Sequence, residues 1–152
     1  MIDHVLVIGF GGPPTPEDVR PFLEVVTRGM GIPPARIAEV AHHYERVGGS
    51  PYNAHAHRFF EKAAATAQRD GLTQPWFLGM RNWHPFLRET IQHVAGRGLR
   101  HGLGLILAPH RSHSSFEKYL EHVEAAKAEV GADALQYDYA PSWDDHPLFI
   151  EA

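Results

Sequence analysis

Twelve histidines are the feature of this 152-residue chain with the most obvious chemistry. Neutral imidazole is the commonest metal-binding side chain and titrates near neutrality, so grouped histidines suggest metal binding or proton transfer. Two histidines on one helix share a metal only when they stand a turn apart, at i and i+4. His42 and His43 are adjacent, and His55 and His57 are two apart, so neither pair shares a helix face. His110 and His113 fall on a loop, where two rings can converge, and are the candidate metal ligands. The other ten are expected at the surface. A second set joins a cation to three hydroxyls: Arg28, Tyr44, Ser50 and Tyr119. A guanidinium makes paired charge-assisted bonds to a carboxylate, and hydroxyls add donors, so together these groups can clamp carboxylates. Taken separately, Arg28 stands near a helix C-terminus, Ser50 in a turn and both tyrosines in the core, and spacing alone favours that separate reading.

Gly9-Phe-Gly-Gly-Pro-Pro14 lies between an apolar run and a helical stretch, the setting of a dinucleotide-binding loop. The sixth position of that fingerprint is glycine but here it is Pro14, and no acidic residue ends the next strand to hold a ribose. The glycines still permit close approach of a backbone or a flat ligand. No Gly-x-Ser-x-Gly elbow supports hydrolase chemistry, and Asp144-Asp145 fits a solvated helix cap. With no cysteine, the chain offers no disulfide, no thiolate nucleophile and no iron–sulfur ligand. Its 14 Lys+Arg against 18 Asp+Glu leave a formal charge of −4, a poor footprint for nucleic acid. No apolar run reaches the roughly 18 residues of a transmembrane segment. The N-terminus carries Asp3 and no basic region, unlike a signal peptide. A cytoplasmic protein is expected.

The elements that must position these groups alternate along the chain. Residues 5–10 form a continuous apolar run, as in a strand buried on both faces. Thr15, Pro16, Glu17 and Asp18 open a helix carrying Val19, Phe22, Leu23 and Val26, which Gly29 and Gly31 close. Further helices are expected over 33–47 and 53–69. Strands follow at 75–78, 103–108 and 134–140, with helices at 85–96 and 116–130 between them. The stretch 141–147 leads into one more helix, so the chain stops at Ala152 where a helix is starting, as a piece of something longer would. The pattern predicts a single α/β domain over residues 1–152. It would be a four-stranded parallel sheet with helices on both faces, a flavodoxin-like or Rossmann-like three-layer sandwich. Ligands of such sheets bind beyond the carboxyl ends of the strands. That rim carries the loops 10–15, 79–84, 109–115 and 140–145.

In their order and spacing, several segments resemble ferrochelatase over essentially the full length. They are Val-Leu-Val-Ile-Gly-Phe-Gly-Gly-Pro (5–13), Pro-Glu-Asp-Val-Arg-Pro-Phe-Leu (16–23), Val-Thr-Arg-Gly-Met-Gly-Ile-Pro (26–33), His-Tyr-Glu-Arg-Val-Gly-Gly-Ser-Pro (43–51), Gly-Met-Arg-Asn-Trp-His-Pro-Phe-Leu (79–87) and Pro-His-Arg-Ser-His-Ser-Ser-Phe-Glu-Lys-Tyr (109–119). The resemblance is to the Gram-positive and actinobacterial branch, and implies Fe²⁺ insertion into coproporphyrin III rather than protoporphyrin. It implies the first of two similar α/β halves facing across a porphyrin cleft, a class II chelatase-like half. The family's metal-handling histidine and glutamate then belong to the other half, beyond Ala152, and the resemblance assigns no catalytic residue within this chain.

Residue by residue, the resemblance implies porphyrin contacts from Phe10, Arg28, His43, Tyr44, Ser50 and Tyr119. Phe10 falls where some members place a tyrosine beside the metal, and a phenyl ring cannot ligate iron. An arginine of some members falls on Thr27, with Arg28 adjacent. Asn82 stands where some carry histidine, and Gly-Gly-Ser-Pro is one residue shorter than the frequent Gly-Gly-x-Ser-Pro. The expected partners are a porphyrin and either a second half or a second copy. Three alternatives stay open: a short homodimeric chelatase using His110 or His113 as base and metal ligand, a non-catalytic tetrapyrrole-binding module, and a flavodoxin-like nucleotide module.

Overall fold

The computed structural model describes residues 1–151, apart from the side chains of His113 and Ser114. Ala152, the expected end of the domain and the point beyond which the family's histidine and glutamate are expected, lies outside the described residues. Four parallel strands form one sheet in the order β2-β1-β3-β4. They are β1 (His4–Gly9), β2 (Trp76–Met80), β3 (His101–Ile106) and β4 (Gln136–Tyr139). In β1 the alternation of strand side chains sends Leu6 and Ile8 to one face and Val5 and Val7 to the other, and all four are buried. α4 (Leu87–Gly96) and α5 (Lys118–Glu129) cover the Leu6 face through Leu87, Ile91, Val94, Tyr119 and Val123. α3 (Tyr52–Arg69) lies on the Val5 face through Ala56 and Phe60. Burying each large apolar side chain contributes about 1.5–3 kcal/mol. α1 (Val19–Val26) and α2 (Pro34–Arg46) pack on each other at the carboxyl rim, where Phe22 meets Phe10, Tyr44 and Trp83. α6 (Pro147–Ile150) follows the edge strand.

This strand order is the flavodoxin-like one, which places the ligand crevice between the carboxyl ends of β1 and β3. Boundaries differ from expectation by a few residues. β2 runs on to Met80 because it stays paired as far as Gly9. β4 is shorter than 134–140 because β3 offers partners only from Gln136 to Tyr139. α4 starts at Leu87 rather than 85, since Phe86 is extended and donates its backbone N–H to Glu89 at 3.0 Å. A π-helical turn over His113–Glu117 precedes α5.

One expectation is corrected. His4 is not a surface histidine but wholly buried, at the amino end of β1 on the Leu6 face. Its Nδ1 meets Asp3 Oδ1 at 2.5 Å and its Nε2 meets the Tyr137 hydroxyl at 3.1 Å. Both ring nitrogens are thus satisfied, as a buried polar ring requires. Gly102 opposite makes the room, because a Cβ there would strike both the His4 and Tyr137 rings. Burial pushes the Asp3 carboxyl up. Hydrogen bonds from His4 and from the Arg100 and His101 backbone outweigh this and hold it below its ordinary value.

Candidate functional site

The loop after β1 is the hub of the rim. Gly11 has φ 85°, a left-handed conformation, and a Cβ there would lie 2.9 Å from the Trp83 nitrogen. Only glycine suits such a backbone at such close quarters. Buried Asn53, in the first turn of α3, accepts from Gly12 N and donates to Gly12 O, both at 2.9 Å. The Tyr52 hydroxyl accepts from Phe10 N at 2.8 Å. Asn82 donates twice to Phe10 O, from its backbone at 3.0 Å and its side chain at 3.2 Å. Phe10 is therefore held on both backbone groups at the mouth of the β1/β3 crevice.

Arg81 ties this loop to α5. Its guanidinium carbon lies 5.6 Å from the Phe10 ring centre and 4.6 Å from that of Tyr119. Stacking on aromatic faces suits a guanidinium and contributes about 0.5–2 kcal/mol. Its Nε is buried without a hydrogen-bond partner among the described residues. Burial pushes the Tyr119 phenol up to about 12, although the charge and hydrogen bonding of Arg81 pull the other way. Tyr119 is thus a neutral donor throughout the physiological range. Beyond Arg81 opens a cavity of about 320 Å³ between α1, α4 and α5, bordered by Arg28, Arg81, Arg88, His122 and Glu129. Three arginines face one carboxylate, Glu129, which lies 3.5 Å from Arg88, so the excess charge around the cavity is positive. Burial, followed by the charges of Arg81 and Lys118, lowers the His122 pKa. Arginines at the edge of a cavity are the chemistry that takes anionic groups.

The expected site residues divide into groups around this hub. Arg28 borders the arginine cavity, while its neighbour Thr27 turns inward and donates to Leu23 O at 2.7 Å. Tyr119 is 3% exposed and reaches the site through Arg81. Tyr44 is half-buried against Phe22, 5.9 Å between ring centres, and Phe22 stands 6.4 Å from Phe10. His43 is exposed on α2. Ser50 lies across the β1 loop: its Oγ accepts from Tyr52 N at 3.2 Å, and a Cβ on Gly12 would be 3.0 Å from it. It borders a separate cavity of about 460 Å³ with Tyr52, Leu107 and Trp143. Arg28 and Ser50 thus border different cavities, and no single described cavity holds Tyr44, Ser50 and Tyr119 together.

His110 is exposed and meets Asp144 at 3.5 Å and the Phe149 ring at 6.0 Å between centres. The His113 side chain lies outside the described residues. Among the described residues, no group of three or more His, Asp or Glu is placed to hold a metal ion. Four contributors were not among the sequence candidates. Arg81 sits on the rim loop 79–84, where its charge was a usable signal. Asn82 sits beside it. Tyr52 and Asn53 act through a loop about 40 residues earlier, which no local pattern shows.

A flavodoxin-ordered sheet with cations and stacked aromatics at its carboxyl rim belongs to the three-layer α/β class. Within that class the chain belongs to the ferrochelatase family, whose model, described as "Ferrochelatase", matches residues 3–152. It is 40% identical to a coproporphyrin III ferrochelatase of Nocardia farcinica over 99% of this chain and 43% of that protein. With those of Mycobacteroides abscessus and Mycobacterium ulcerans the identities are 37% and 38%, over 99% and 98% of this chain and 45% and 43% of theirs. The chain spans less than half the length of these relatives. No described helix is long and apolar enough to cross a membrane.

Proposed function

We propose that this chain is the porphyrin-carboxylate-binding half of a coproporphyrin III ferrochelatase, which inserts Fe²⁺ as a substrate into the macrocycle in heme biosynthesis. The observation that carries the reading is Arg81, stacked on Phe10 and Tyr119 and opening onto the Arg28 cavity. A tetrapyrrole is a flat apolar disc with carboxylates at its edge. Phe10 offers a ring to the disc, and Arg28 and Arg81 offer guanidinium groups to the carboxylates. Tyr44 and Ser50 add hydroxyl donors at either side of the loop, His43 lies next to Tyr44, and Tyr119 orients Arg81. Phe10 has no atom that can ligate iron, so its part is packing.

Insertion joins Fe²⁺ to four pyrrole nitrogens and releases two pyrrolic protons. The macrocycle must bend so that nitrogen lone pairs face the metal. Binding energy from the remote carboxylates can offset that strain. In this reading the proton acceptor and metal-handling groups come from a second half, in sequence beyond Ala152, as the length of the relatives supports. The metal ligands proposed within this chain are His110 and His113. The proposed setting is the cytoplasm, where reducing conditions keep iron ferrous.

The test is anaerobic insertion of Fe²⁺ into coproporphyrin III, followed by absorbance. The chain alone should bind the porphyrin and turn it over weakly or not at all, and joining it to the remaining half of a relative should restore turnover. Full turnover by the chain alone, or no porphyrin binding in either form, would contradict the reading.

A further inference from the structure

The arginine cavity holds one titratable group to which carboxylate binding has so far given no part. His122, Ala125, Ala126 and Glu129 stand on one face of α5 at helical spacing and line the cavity. His122 follows Tyr119 by one helical turn, so it is the next side chain beyond the ring on which Arg81 stacks. The two alanines after it are small and leave the space of about 320 Å³ open. Charged groups face His122 from every element around it. Arg81 comes from the loop after β2, Arg28 from just past α1 and Arg88 from the first turn of α4. On α5 itself, Lys118 and Glu121 lie beside it, paired with each other at 2.5 Å. Glu129, at the far end of the face, is 3.5 Å from Arg88. Among the described residues His122 makes no hydrogen bond and no ion pair.

We propose that His122 is a proton-coupled binding residue of this cavity: it takes one proton from solvent when a carboxylate enters, and so joins the three arginines as a cation around the bound anion. The inference rests on the reading of the cavity as the carboxylate site and adds to it a dependence on pH. Without an anion, burial and then the charges of Arg81 and Lys118 hold the imidazole below its ordinary pKa, against the pull of Glu121. It is therefore neutral near neutrality. A carboxylate among the arginines offsets the repulsion that keeps the proton away and raises the imidazole pKa. The bound state then holds more protons than the free state, so binding tightens as pH falls from above the bound pKa toward the free one. Arginines stay charged throughout this range and give no such dependence by themselves.

The probes are coproporphyrin III, followed by absorbance, and tartrate, a small dicarboxylate without a ring, followed by calorimetry. Each is titrated into the 152-residue chain, His122→Gln and His122→Arg from about pH 8 to about pH 6. Comparing proteins at the same pH cancels the titration of the probe itself. The ratio of wild-type to His122→Gln affinity should rise about fivefold or more from the alkaline to the acid end. His122→Arg, charged at every pH, should bind more tightly than wild type at the alkaline end and show no such rise. A ratio that stays constant with pH would overturn the proposal. Should His122→Gln not fold, the wild-type chain still decides. The His122 Cε1–H resonance, assigned by its loss in His122→Arg, should titrate at higher pH with tartrate bound, and an unmoved midpoint would equally overturn the proposal. Tartrate binding with this pH dependence, but no binding of coproporphyrin III, would remove the porphyrin reading and leave the part of His122 standing. Coproporphyrin III binding with a constant ratio would do the reverse. If neither probe binds at any pH, both fall.

Discussion

Arg81 stacks on Tyr119 with its guanidinium carbon 4.6 Å from the ring centre, joining the loop after β2 to α5. Its guanidinium also borders the cavity that holds Arg28, where a carboxylate would meet it. Arg81→Met should leave the melting temperature within a few degrees of wild type. It should weaken coproporphyrin III binding by about 1.5–3 kcal/mol, the value of a charge-assisted hydrogen bond. Absorbance titration and calorimetric melting of the same variant check both parts.

Two hydroxyls test the flanks of the loop. Ser50→Ala and Tyr119→Phe should each weaken coproporphyrin III binding by about 0.5–1.5 kcal/mol. Tyr119 acts through Arg81, so its effect should vanish in an Arg81→Met background, whereas that of Ser50 should persist. A double-mutant cycle on binding affinity reads the difference.

Gly11 holds a left-handed backbone against Trp83, so Gly11→Ala should cost about 1–3 kcal/mol of stability and displace Phe10. Denaturant unfolding measures the first effect and porphyrin affinity the second.

His4 gives the opposite pattern. His4→Leu removes the partner of the Tyr137 hydroxyl and one of the hydrogen bonds of Asp3, and should cost about 1–3 kcal/mol. Porphyrin affinity, which depends on the carboxyl ends, should be unchanged in the folded protein.

His122 supplies a pH dependence. Burial and the charge of Arg81 hold its pKa below the ordinary 6.5, so the unfolded chain takes up its proton first as pH falls. Its contribution to stability is full above about pH 7 and is lost as acid carries the solution down through its folded pKa. His122→Gln should accordingly make the loss of stability below about pH 7 shallower, as followed by urea unfolding at each pH.

The sheet was legible because its signals are local. The run Val5–Phe10 and the glycine and proline breaks fix strands and helices without reference to distant residues. The buried state of His4 was not legible, because its partner Tyr137 stands 133 residues away and its space comes from a missing side chain at Gly102. The candidate site residues were legible as residue types and not as a grouping: Arg28 and Ser50 border different cavities, Tyr44 packs on Phe22, and Tyr119 lies under Arg81. Their separation depends on how α3 and α5 dock on opposite faces of the sheet, which spacing does not carry. Arg81 was hidden for a related reason: its contacts are two aromatic rings brought from the end of β1 and from α5.

Carboxylate recognition at the carboxyl rim is tested most directly by one titration. Coproporphyrin III and its tetramethyl ester, in the same dilute detergent, are titrated into the chain and followed in the Soret band. The account predicts saturable one-to-one binding of the acid and binding at least tenfold weaker for the ester, with the preference lost in Arg28→Ala/Arg81→Met. Equal binding of acid and ester, or a preference unchanged in that double variant, would contradict it.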